Sequence, residues 1–147
     1  MADLIVPPGE HYITKDAHIQ LLKWKMAQGK YRPMLMKYAN QLTEESVIST
    51  SRAAFELLHQ GKHIEAIEMY KTLKGTGYAL ASLVLSTQSA DIPFMSDQLL
   101  HILFPDGKYK YTKKEYTACY NYTRDLEKER NCTAREIEIQ ISTVTGV

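Results

Sequence analysis

The chain has 147 residues, 44% of them apolar, and its 18 Lys and Arg against 17 Asp and Glu give a formal net charge of +1. That length suits one domain with one core and is too short for two. The near-balanced charge excludes a global field that would steer the chain to an acidic partner, and no apolar run approaches the roughly 20 residues of a membrane span.

Residues 1–13, with Pro7, Pro8 and Gly9, read as an extended arm, and residues 14–147 as a single helical domain. The N-terminal stretch lacks the basic start and apolar core of a secretory signal. Only two cysteines occur, Cys119 and Cys132, too far apart for a CxxC pair. The expectation is a cytoplasmic chain with reduced thiols. A first helix starts near Thr14 or Asp16 and runs through "AHIQLLKWKMAQ", with Ile19, Leu22 and Met26 as its buried stripe and Gly29 as a left-handed end. Pro33 suits the first turn of a second helix, "RPMLMKYANQL". Thr43 reads as the N-cap of a third, with Glu44 and Glu45 in its first turn where the helix dipole favours acids. That helix carries Val47, Ala54, Leu57 and Leu58 and ends at Gly61. A fourth, "HIEAIEMYKTL", carries Ile64, Ile67 and Leu73.

"YALASLVLS" is small and apolar almost all round, the pattern of a central buried helix. "SADIPFMSD" reads as a crossing loop, with Ser96 capping "DQLLHILF", and "FPDG" as a turn. Two Thr-x-x-Glu capping boxes, Thr112 with Glu115 and Thr133 with Glu136, open the last two helices. β-Branched residues gather in "IEIQISTVTGV", but the second box argues for helix there. No convincing strand emerges, so the expected class is all-α, with seven to eight helices.

Two glycines interrupt this pattern in "LKGTGYALASLVLS", where Gly75 and Gly77 stand between helical segments. A dinucleotide fingerprint needs a preceding strand and a third glycine; here a helix precedes and the third position is Leu80. What remains is a hairpin between two helices over about 63–88, with Ala81 allowing close helix approach. Glycines admit backbone angles barred to other residues, and free amides at the start of the next helix suit an anion. Two stretches hold the local positive charge. Between Ala17 and Thr43 no acid occurs, yet Lys23, Lys25, Lys30, Arg32 and Lys37 do. "KYKYTKK" interleaves Lys108, Lys110, Lys113 and Lys114 with tyrosines, a mixture found in single-strand binders. Trp24 and Tyr31 are available for stacking, with Trp24 favoured as a core anchor. His59 and His63 are four apart, but Gly61 between them and the lack of a third nearby ligand argue against zinc. Cys119 reads as a buried thiol.

"LKGTGYALASLVLS" resembles the helix-hairpin-helix of the DNA glycosylase superfamily, whose hairpin amides hold a nucleic-acid phosphate. In that superfamily a catalytic aspartate follows the second glycine after about 20 residues, at the head of another helix, and Asp97 in "IPFMSDQLL" matches that placement. Where bifunctional members carry a Schiff-base lysine this chain has Ala79, and the cysteine cluster of the iron–sulfur members is absent. "LLKWKMAQGKYRPMLMKYANQ", "AAFELL", "AIEMYKTLKGTGYALASLVLS", "IPFMSDQLLHIL" and "KYTKKEYTACYNYTRDL" together are similar to a family of small eukaryotic proteins. That family is related to the glycosylase fold, is largely without assigned activity, and includes a ribosome dormancy factor. The resemblance implies a non-catalytic protein that docks on ribosomal RNA and ribosomal proteins and blocks the tRNA exit site of inactive ribosomes; no cofactor is expected, and a +1 chain without heptads gives no reason to expect more than a monomer when free. Lys23, Lys25, Lys30, Arg32, Lys37, Lys74, Gly75, Gly77 and the lysines of 108–114 would then meet phosphates. The alternatives are base excision using Asp97 and a protein–protein adaptor.

Overall fold

The computed structural model describes residues 5–130 together with 133, 134, 136 and 137. Among them the chain is helical throughout, with no strand: α1 (Lys15–Gln28), α2 (Pro33–Gln41), α3 (Glu44–His59), α4 (His63–Tyr70), α5 (Tyr78–Ser86), α6 (Asp97–Leu103) and α7 (Lys113–Arg130). The starts follow the caps. The Thr14 side chain accepts from Ala17 N, Thr43 from Ser46 N and Ser96 from Leu99 N, each satisfying an amide the helix itself leaves unpaired. Pro33 sits at the first turn of α2. Thr112 N donates to Glu115 Oε1 at 2.8 Å while Glu115 N donates back to Thr112 Oγ1 at 3.3 Å. The same reciprocal pair joins Thr133 and Glu136; the reading of 138–147 as helix lies outside the described residues.

α5 is the centre. All nine of its residues are buried, and it packs against α1, α3 and α4. Burying Leu83, Val84 and Leu85 (each 1% exposed or less) stabilises by about 1.5–3 kcal/mol apiece. α3 and α4 form the most extensive helix pair, and α6 packs on α7. The residues before α1 are tied down: Val6 and Ile13 are buried, and Ile13 N donates to Ser51 Oγ at 2.9 Å. Glu10 N donates to Gln88 Oε1 and Gln88 Nε2 donates to Pro7 O.

Several local expectations are corrected. The buried face of α1 is His18, Leu21, Leu22 and Met26, with Ile19 only half-buried. His18 was hidden from a hydropathy pattern because its polarity is met inside the core, where Nδ1 and the Tyr70 hydroxyl share a 2.5 Å hydrogen bond. In α3 the buried residues are Val47, Ser51, Ala54, Phe55 and Leu58, and Leu57 is half-buried. α4 ends at Tyr70, and Leu73, buried in the turn beyond, contributes to the core from non-helical backbone. Gly29 is not left-handed: its φ is −143°.

Candidate functional site

The crossing loop between α5 and α6 carries Asp97 to a fixed place. Ser82 on α5 accepts from Met95 N at 2.9 Å, and the Tyr116 hydroxyl on α7 donates to Pro93 O at 3.1 Å. Ser96, not Asp97, supplies the side-chain cap of α6. The Asp97 carboxylate is therefore released from capping and turns outward. Its Oδ1 accepts from the Tyr111 hydroxyl at 2.5 Å, and its Oδ2 lies so near Gly29 that a Cβ there would stand 2.8 Å away. Gly29 is glycine because the carboxylate occupies the space of its side chain.

Two recesses meet around this contact. One, about 30 Å³, is lined by Lys25, Gly29, Lys30, Arg32, Asp97 and Tyr111 among others. The second, about 170 Å³, is lined by Leu22, Leu35, Gly75, Gly77, Leu80 and, again, Lys25, Arg32 and Tyr111. Both fall below the size range of small-molecule pockets. Lys25, Arg32 and Tyr111 line both recesses, so the glycine turn and the aspartate, far apart in sequence, lie on either side of the same three side chains. Lys25 is half-buried there, and burial together with the Arg32 charge lowers its pKa while Asp97 opposes the shift. The Tyr111 phenol is raised, first by burial and then by its bond to Asp97. The Arg32 guanidinium stands 5.8 Å from the Tyr111 ring centroid.

Tyr111 was not singled out as a site residue by sequence reasoning. It is a non-glycine residue at φ +59°, a conformation of the kind that collects at functional sites and is held only when its surroundings fix it. No sequence pattern announces it, since the hydroxyl's partner lies on another element. Tyr109 and Tyr111 meet edge to face at 5.4 Å and pack against the core cluster, while Lys108, Lys110, Lys113 and Lys114 are exposed. Lys113 Nζ lies 3.6 Å from Glu68 Oε1.

The two glycines of the turn are not alike. Gly75 has φ +83°, and a Cβ on it would come within 2.7 Å of Tyr38 Cβ. Lys74 beside it lies 4.8 Å from the Tyr38 ring. Gly77, the N-cap of α5, has φ −104° and nothing within 4 Å of a Cβ position; the expectation that both glycines hold barred angles is corrected for this one. Of the expected phosphate ligands, Lys25, Lys30, Arg32, Gly75 and Gly77 line the cleft; Lys23, Lys37, Lys74 and the four lysines of 108–114 line neither recess. Ala79, where the resemblance would place a Schiff-base lysine, is buried.

Elsewhere, His63 Nδ1 bonds the Tyr120 hydroxyl at 2.7 Å, and among the described residues no group of three or more His, Cys, Asp or Glu gathers. Cys119 is a buried free thiol whose pKa burial raises to about 12, and Trp24 packs at the core's edge, 6.1 Å from Phe94. No described helix is long and apolar enough to cross a membrane. Compared with known proteins, the chain matches no family model, no curated protein and no solved structure.

Proposed function

We propose that this chain is a non-catalytic ribosome-binding dormancy factor of helix-hairpin-helix type, docking on ribosomal RNA and protein in the cytoplasm and blocking the tRNA exit site of inactive ribosomes by occupancy. The observation that carries the reading is the convergence of Lys25, Arg32, Gly75 and Gly77 on one recess, with Lys30 on its neighbour. Cations and an uncapped helix start facing one opening suit a phosphate backbone. Gly77 itself is exposed at the start of α5, and exposed Lys23, Lys37 and Lys74 extend the charge beyond the cleft. Inhibition by occupancy needs no reacting group, and the Asp97 carboxylate is already engaged by Tyr111 and pressed against Gly29.

Base excision is the second reading, favoured by one fact: Asp97 shares its cleft with Lys25 and Arg32, which also line the recess of the glycine turn. It requires that wild-type protein release a base from a panel of damaged duplexes and that Asp97→Asn abolish the release. The binding reading is tested on purified vacant ribosomes with deacylated tRNA as competitor. Mutual displacement is expected; simultaneous saturation by both would contradict an exit-site position.

A further inference from the structure

At the corner between α1 and α2 the sequence runs Gly29-Lys30-Tyr31-Arg32-Pro33-Met34. Tyr31 is 65% exposed and Met34 52%, the two most exposed large apolar side chains among the described residues. The chain has 10 tyrosines, and Tyr31 differs from all the rest. The others pack against the core or hold a ring, cation or hydroxyl partner, as Tyr12 does with Arg52 at 5.0 Å and Tyr38 with Lys74 at 4.8 Å. Tyr31 has no hydrogen bond and no ring contact among the described residues. A tyrosine fixes a large, flat contact area at little cost in side-chain freedom, and here most of that area faces solvent.

Its neighbours say what it faces. Lys30 and Arg32 flank it directly, Lys37 is exposed on the following helix, and no acid occurs between Ala17 and Thr43. We propose that Tyr31 is a stacking platform for one unpaired RNA base, with Lys30 and Arg32 taking the phosphates on either side of that nucleotide. A cation before and after a single ring matches the nucleotide, which carries a phosphate on each side of its base. Stacking reads a base face and tolerates any sequence, and unpaired bases of structured RNA are the ones open to aromatic side chains. The inference rests on the ribosome-binding reading and adds to it the kind of RNA element that is gripped. Tyr31 lines neither recess, whereas Lys30 and Arg32 also reach into the cleft.

The test uses the full chain as wild type, Tyr31→Ala, Tyr31→Phe and Tyr31→Trp, titrated at one fixed salt against purified ribosomes and against a fluorescein-labelled oligouridylate. Tyr31→Ala should weaken both affinities by between about fivefold and a hundredfold, with the melting temperature unchanged because the side chain supports no packing. Tyr31→Phe and Tyr31→Trp should bind as wild type, and the new indole should be quenched on binding. If Tyr31→Ala binds both probes like wild type, the platform is refuted while ribosome binding stands. If wild type ignores ribosomes yet binds the oligonucleotide in a Tyr31-dependent way, the platform stands and the ribosome reading falls. Binding of neither probe removes both. Tyr31-dependent binding to phosphatidylserine vesicles, with RNA affinity unaffected by Tyr31→Ala, would overturn the platform in favour of a lipid surface.

Discussion

At Gly29 a methyl group would stand 2.8 Å from Asp97 Oδ2, and at Gly75 it would meet the Tyr38 side chain at a backbone angle of φ +83°. At Gly77 it would meet nothing. Gly29→Ala should therefore cost about 1–3 kcal/mol by overpacking, and Gly75→Ala at least the roughly 1–2 kcal/mol of a left-handed residue. Gly77→Ala meets no clash but puts a disfavoured residue at the N-cap of α5, and should cost only about 0.5–1 kcal/mol. Urea denaturation of the three variants measures this order, and a neutral Gly29→Ala would mean that Asp97 does not press on that backbone. Buried His18 makes the second prediction at this scale. Burial lowers its folded-state pKa from 6.5 to about 4, so below pH 6.5 the unfolded chain binds the proton more readily than the folded one. Stability is then full above pH 6.5 and falls as pH drops towards 4, by up to about 1.4 kcal/mol per pH unit from this group. Half-buried His63, also lowered by burial, adds in the same direction. Replacing the hydrogen-bonded pair together, His18→Leu with Tyr70→Phe, should flatten the slope; an unchanged slope would assign the acid sensitivity to other groups.

The helix starts at Thr14, Thr43, Ser96 and Thr112 were legible because a cap is a local match between a hydroxyl and an amide three residues on. The central burial of α5 was legible for a similar reason, since "YALASLVLS" is small and apolar almost all round. What could not be read were contacts between elements. Gly29 looks like any helix-ending glycine until Asp97 is seen beside it, and Tyr111 looks like one tyrosine of a basic run until its hydroxyl is found on that same carboxylate. The cleft residues themselves were mostly legible as cations and glycines, but their convergence depends on where α5 and the crossing loop lie. Ser82 holds that loop through Met95 N, so Ser82→Ala leaves a buried amide without its acceptor and should cost about 1–3 kcal/mol. Ser96→Ala removes the α6 cap and should cost about 1 kcal/mol. If chemical denaturation shows Ser82→Ala to be neutral, the loop is held by Tyr116 and packing instead.

Over the whole molecule, a balanced charge count conceals uneven placement. The described ion pairs engage Lys71, Lys113 and Arg124, whereas Lys23, Lys30, Arg32 and Lys37 are exposed in a stretch without acids. Such cations release counterions when they meet phosphates, so binding should weaken linearly in log affinity against log salt. Neutralising Lys30, Arg32 or Lys37 should lower that slope by about one for each phosphate that the side chain neutralises in the wild type. A surface that docked on protein alone would show a shallow slope that these substitutions leave unchanged. The central claim, that the chain rides on inactive ribosomes through phosphate contacts, is tested most directly by sedimenting lysate from dormant cells through sucrose gradients of increasing salt. Comigration with intact ribosomes at low salt, abolished as salt rises, is the predicted result. Protein that stays at the top of a low-salt gradient in which the ribosomes are intact would contradict it.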